Sequence, residues 1–146
     1  MRRTSVLVAL LAVFGVSTAA NAGGGHSYSW DLKPTGTTAR LRGVSAISEK
    51  TAWTSGSLGT VLRTVNGGST WQNVSPPGTA TLQFRDIEAF DADRAVILSI
   101  GNGTDSRIYI TSDAGQHWTL TFTNTDPEAF YDCASPRFLS KNVMQS

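Results

Sequence analysis

Thr64-Val-Asn66-Gly-Gly68-Ser-Thr-Trp71 and Thr111-Ser-Asp113-Ala-Gly115-Gln-His-Trp118 share one pattern. Threonine leads, Asn or Asp stands at the third position, glycine at the fifth and tryptophan at the eighth. The residue types suit a tight hairpin. An Asn or Asp side chain accepts hydrogen bonds from backbone N–H groups two residues on and closes the turn from inside. Glycine takes the positive φ that a residue with a Cβ resists. The tryptophan ring packs on the turn as an apolar lid, its indole N–H free to find an acceptor.

Working outward, the segments before the two motifs align as well. Leu41-Arg-Gly-Val-Ser-Ala-Ile47 corresponds to Phe84-Arg-Asp-Ile-Glu-Ala-Phe90 at a spacing of 43, whereas the tryptophans are 47 apart. The difference falls between Ser99 and Arg107, where Gly101-Asn-Gly-Thr-Asp105 reads as a longer turn. A period in the forties built of strands is the size of one four-stranded propeller blade. The first unit divides into strands at 42–47, 51–55, 60–64 and 70–74, and the second at 85–90, 95–100, 107–111 and 117–122. Glu49-Lys50 and Asp91-Ala-Asp93 mark equivalent turns between first and second strands. Ala95-Val-Ile-Leu98 is an unbroken apolar run, expected where neighbours cover both faces of a strand. No segment keeps helical apolar spacing for two turns. The composition agrees, with 16% charged residues and 14 glycines favouring short strands and tight turns over long amphipathic helices.

The flanks read differently. Arg2-Arg3, an apolar run from Val6 to Val16 and Ala20-Asn21-Ala22 make a secretory signal peptide over residues 1–22, implying a secreted or periplasmic protein with no membrane span after cleavage. Residues 23–39 form a leader containing His26 in a Gly-rich stretch, and residues 40–132 hold the repeat. Phe130-Tyr-Asp132 starts a third unit, but residues 133–146 keep none of its pattern and read as a tail foreign to the repeat, so the chain is expected to be truncated. Two blades alone would leave open strand edges and broad apolar faces, so self-association of the isolated chain is expected.

The paired motifs resemble the Asp-box, or BNR, repeat proteins, which include sialidases, sortilin-type receptors and the photosystem II assembly-factor propellers. Gly56-Ser-Leu-Gly59-Thr-Val-Leu-Arg-Thr64-Val-Asn-Gly-Gly68-Ser-Thr-Trp71 looks most like the assembly-factor group and its secreted relatives. The resemblance covers residues 40–132 and implies an all-β fold: two four-stranded antiparallel blades and the start of a third, from a parent with about six to eight blades. It also implies that the boxes lie on the outer part of each blade, away from the ligand face, so that Thr64, Asn66, Gly68, Trp71, Thr111, Asp113, Gly115 and Trp118 are scaffold and not an active site.

Catalytic candidates are thin. Sialidase chemistry needs an arginine cluster, a Tyr with a Glu partner and an acid/base Asp. The usual Arg-Ile-Pro segment is replaced here by Arg40-Leu-Arg42-Gly43. The leading expectation is a non-enzymatic binding or assembly module. The alternative is the N-terminal part of a sialidase-like glycoside hydrolase that lacks its catalytic residues. Arg42 and Arg85 are equivalent in the repeat, as are Asp86 and Asp132, with Gly43 breaking the acidic series. First-strand starts line the channel mouth of a propeller. These four residues therefore either bind a polar ligand, protein or carbohydrate, or pair blade to blade as a salt-bridge ladder.

Other chemistry finds no support. His26 and His117 lack metal-ligand spacing, Cys133 has no base partner, and no phosphate-binding glycine loop precedes a helix, so no metal or cofactor is expected. Removing Arg2 and Arg3 takes the formal charge from +1 to −1, which disfavours nucleic acid and anionic membrane as partners. Asn73-Val-Ser75 and Asn102-Gly-Thr104 are sequons, the first a poor acceptor because Pro76 follows.

Overall fold

A computed structural model describes residues 29–131. The compact unit that carries every strand begins at Leu32, and Ser29–Asp31 have no regular secondary structure. Two antiparallel sheets follow. The first contains β1 (Leu41–Ala46), β2 (Ala52–Gly56), β3 (Val61–Thr64) and β4 (Gln72–Asn73), paired in chain order. The second repeats the arrangement with β5 (Gln83–Ala89), β6 (Ala95–Asn102), β7 (Arg107–Thr111) and β8 (Thr119–Thr123). A short β9 (Phe130–Tyr131) pairs with the end of β6. The longer turn expected after Ser99 is a 3₁₀ turn at Gly103–Asp105, held by Ser106 Oγ donating to the Gly101 carbonyl at 2.6 Å.

The fourth strand of the first sheet is shorter than expected. Val74 N–H still donates to Val61 O at 2.9 Å, but Val61 N–H is met by the Ser75 hydroxyl at 2.8 Å. A side-chain oxygen thus accepts the last amide of the ladder in place of a backbone carbonyl. In the second sheet the fourth strand starts at Thr119, because Asp113 captures the His117 amide for the turn before it.

Strand alternation sets the core. Phe84, Ile87, Ala89, Ala95, Ile97 and Tyr109 point from the second sheet into one cluster with Trp53, Val61 and Leu82. That cluster is the packing between the sheets. Trp53 and Phe84 are fully buried and anchor it, and Phe84 meets Tyr109 edge to face. The other face of the second sheet buries Val96, Leu98 and Ile108, with Phe90 and Ile110 against them. Ala95 to Leu98 are all buried, as the unbroken apolar run requires.

Candidate functional site at the first-strand starts

Antiparallel register gives the pair of sheets two ends. Leu41 lies opposite Gly56 and Ser55 opposite Val61, so the start of β1 and the β2–β3 turn share one end. The start of β5 and the 3₁₀ turn occupy the same end of the second sheet. The β1–β2 turn and both eight-residue motifs lie at the other end, where Gly67 N–H donates to Lys50 O at 2.9 Å and Ala114 N–H to Asp93 O at 2.8 Å.

Arg42 and Arg85 occupy the first end in the same local geometry. In β1 the pairing steps from Leu41–Gly56 to Gly43–Ser55, and in β5 from Phe84–Ser99 to Asp86–Leu98. Each arginine is the extra residue of a β-bulge, the device that re-aims a side chain at a sheet margin. Both are exposed. The two strands pack closely here: a Cβ on Gly43 would lie 2.5 Å from Ser55 Oγ and 3.1 Å from the Arg85 carbonyl oxygen. That crowding explains why the acidic series lapses at Gly43.

The Asp86 carboxylate accepts the Ile87 amide at 2.9 Å, and partial burial raises its pKa above the usual carboxylate value. Asp132 lies outside the described residues, as do His26, Cys133, the expected signal peptide over residues 1–22 and the expected tail over residues 133–146. A shallow hollow of about 320 Å³ lined by Asn102, Gly103, Thr104, Thr125 and Pro127 flanks the same end.

At the opposite end the motif chemistry is visible atom by atom, and one expectation is corrected. The amide two residues beyond the Asn or Asp is taken by the leading threonine. Gly68 N–H donates to Thr64 Oγ1 and Gly115 N–H to Thr111 Oγ1, both at 3.0 Å. The Asn66 and Asp113 oxygens instead accept the amides four residues on, Thr70 at 3.0 Å and His117 at 2.9 Å, together with the threonine hydroxyls. The shorter threonine reaches the first amide because Gly68 and Gly115 turn back at φ of +79° and +81°.

Trp71 lies over Gly68 as a lid, with a Cβ there 3.6 Å from its Nε1. Trp118 does more than cover its turn. Its Nε1–H donates to the Val74 carbonyl at 2.7 Å, and its ring meets Trp53 edge to face.

Arg63 passed unnoticed in the sequence. Its Nε donates to Ala92 O at 2.6 Å, its guanidinium lies 3.5 Å from Asp93, and it stacks 5.6 Å over Trp53, clamping β3 to the β5–β6 turn. The signal was its place next to the motif threonine, where the second unit has Ile110. Asn73 binds its own Ser75 side chain at 2.6 Å, and Asn102 is exposed at the end of β6. Among the described residues, no three of His, Cys, Asp and Glu are placed to hold a metal, and no helix is long and apolar enough to cross a membrane.

The geometry now meets the known proteins. No protein-family model matches this sequence, and no curated protein does. Solved structures do. A complex described as YCF48 bound to D1 peptide superposes with a TM-score of 0.55 at 23% identity over 71% of this chain. YCF48 from Cyanidioschyzon merolae gives 0.53 at 20% identity over 66%. The sheets are propeller blades. This chain spans about a third of each of those structures, 32% and 31%. β5 to β8 form the second propeller blade, β1 to β4 the first, and the arginine bulges lie where first strands of neighbouring blades meet.

Proposed function

We propose that this chain is an exported, non-enzymatic propeller module that binds a protein partner through the end bearing Arg42 and Arg85. The observation that carries the reading is the repeated bulge. Two adjacent blades spend a ladder position to expose an arginine at one end, while their opposite ends carry hairpins whose turn amides are taken by the motif threonines. Exposed guanidinium groups favour carboxylates, which they bind by paired, charge-assisted hydrogen bonds. The peptide in the YCF48 complex supports looking for a peptide segment as the partner. Export rests on residues 1–22, and the same reading leaves the repeat motifs as scaffold.

The test is to map contact. A glutamate-rich fluorescein-labelled decapeptide is added to isotopically labelled protein, and amide shifts are followed. Perturbations gathering at residues 40–43, 57–60 and 83–86 support the reading. Perturbations confined to the Asp-box hairpins, or none at millimolar peptide, contradict it.

A further inference from the structure

The β2–β3 turn at the arginine end contains an unusual choice of residue. Ser57-Leu58-Gly59-Thr60 closes with Thr60 N–H donating to Ser57 O at 3.2 Å, and Leu58 and Gly59 have φ of +58° and +62°. Two successive left-handed residues closed by that bond form a hairpin turn of the kind that favours Asn, Asp and Gly. Gly59 is required there, since a Cβ would lie 2.1 Å from the Thr79 carbonyl oxygen. Leu58 has no such excuse. A branched L-residue in this region is strained, and 61% of it is exposed, so packing does little to offset the strain.

The turn is fixed among the arginines. Arg40 N–H donates to Ser57 Oγ at 2.8 Å and Ser57 N–H to Arg40 O at 3.1 Å, while Gly59 N–H reaches Leu82 O at 2.8 Å. Leu58 therefore stands in a turn bonded to Arg40, just before β1, and to Leu82, just before β5, the strands that carry Arg42 and Arg85. We propose that Leu58 is an apolar contact residue that receives a hydrophobic side chain of an extended acidic peptide, whose flanking carboxylates meet these arginines. This rests on the arginine-end reading above. Charge selects the peptide, and Leu58 selects the residue between its charges.

Two fluorescein-labelled glutamate-rich decapeptides, one with a central leucine and one with a central serine, test this by anisotropy against the full chain. The wild type should bind the leucine peptide about tenfold more tightly, the scale of one partly buried apolar contact. Leu58→Asn should erase that preference while raising the melting midpoint, because Asn tolerates the left-handed region. Leu58→Met should keep the preference. Equal binding of both peptides by the wild type, an undiminished preference in Leu58→Asn, or a lowered midpoint in that variant overturns the proposal. If Arg42→Glu abolishes binding of both peptides while Leu58→Asn keeps its preference, the Leu58 inference falls and the arginine-end reading stands. If neither peptide binds the wild type at millimolar concentration, both fall.

Discussion

The indole N–H of Trp118 donates to the carbonyl oxygen of Val74 at 2.7 Å, so the eight-residue hairpin motif of the second blade is bonded to the end of the first blade's fourth strand. Val74 also fills the space over Gly115, where a Cβ would come within 2.7 Å of its own Cβ. The motif thus joins neighbouring blades as well as closing a turn. Trp118→Phe keeps an aromatic ring, though a smaller one, but leaves the Val74 carbonyl without its donor, and should cost about 1–2 kcal/mol in urea unfolding. Trp118→Ala also removes the contact with Trp53 and should cost about 3–5 kcal/mol. Equal effects of the two variants would show that the ring contact with Trp53 contributes nothing beyond the hydrogen bond, and a Phe variant as stable as the wild type would show that the hydrogen bond contributes nothing.

The fourth motif position offers a paired test of backbone strain. Gly67 and Ala114 are equivalent and hold φ of +67° and +65°. Ala114→Gly should stabilise the chain by about 1 kcal/mol, and Gly67→Ala should destabilise it by at least as much, because its Cβ would also press on Glu49 O at 3.1 Å. The check is opposite movement of the thermal midpoints.

Acid sensitivity should trace to Asp113. The His117 backbone amide and then the His117 side chain hold its pKa down at about 2, against an ordinary 3.8. A carboxylate with a depressed folded-state pKa stabilises above its unfolded value and loses that contribution as pH falls. Stability should therefore drop between about pH 4 and pH 2, and Asp113→Asn should flatten that limb. Asn66 already fills the same place in the first blade, so the variant should keep its fold at neutral pH. An unchanged acid limb in the variant would remove Asp113 as its cause.

Asp86 behaves in the opposite sense. Burial raises its pKa, so the protonated form is favoured in the folded chain and the charged form is a liability once pH exceeds that value. Asp86→Asn should raise the melting midpoint at pH 7 and leave it nearly unchanged near pH 3. A fall at pH 7 would favour the salt-bridge ladder instead.

Much of this architecture was legible because its signals are local. Asn66, Gly68 and Trp71 repeat as Asp113, Gly115 and Trp118, and turn chemistry depends on neighbours in sequence. Strand order and the long Gly101–Asp105 turn followed from the period. What eluded the sequence depends on register between strands. The division of work between Thr64 and Asn66 turns on which amide each oxygen reaches. Arg63 becomes a clamp only when β3 lies beside the β5–β6 turn. The equivalence of Arg42 and Arg85 was visible, but their placement on bulges required the strand pairing, and so did the tight approach of Gly43 to Arg85 that removes the acidic residue from the first blade.

Charge reversal at the two bulges tests the central claim most directly. Arg42→Glu and Arg85→Glu, singly and together, are titrated by anisotropy with the glutamate-rich peptide at low and moderate salt, alongside thermal melts. The account predicts that each single change weakens binding at least tenfold, that the double change abolishes it, and that the melting midpoint is unmoved. Undiminished binding in the double variant, or a loss of binding that tracks a fall in the midpoint, would contradict it.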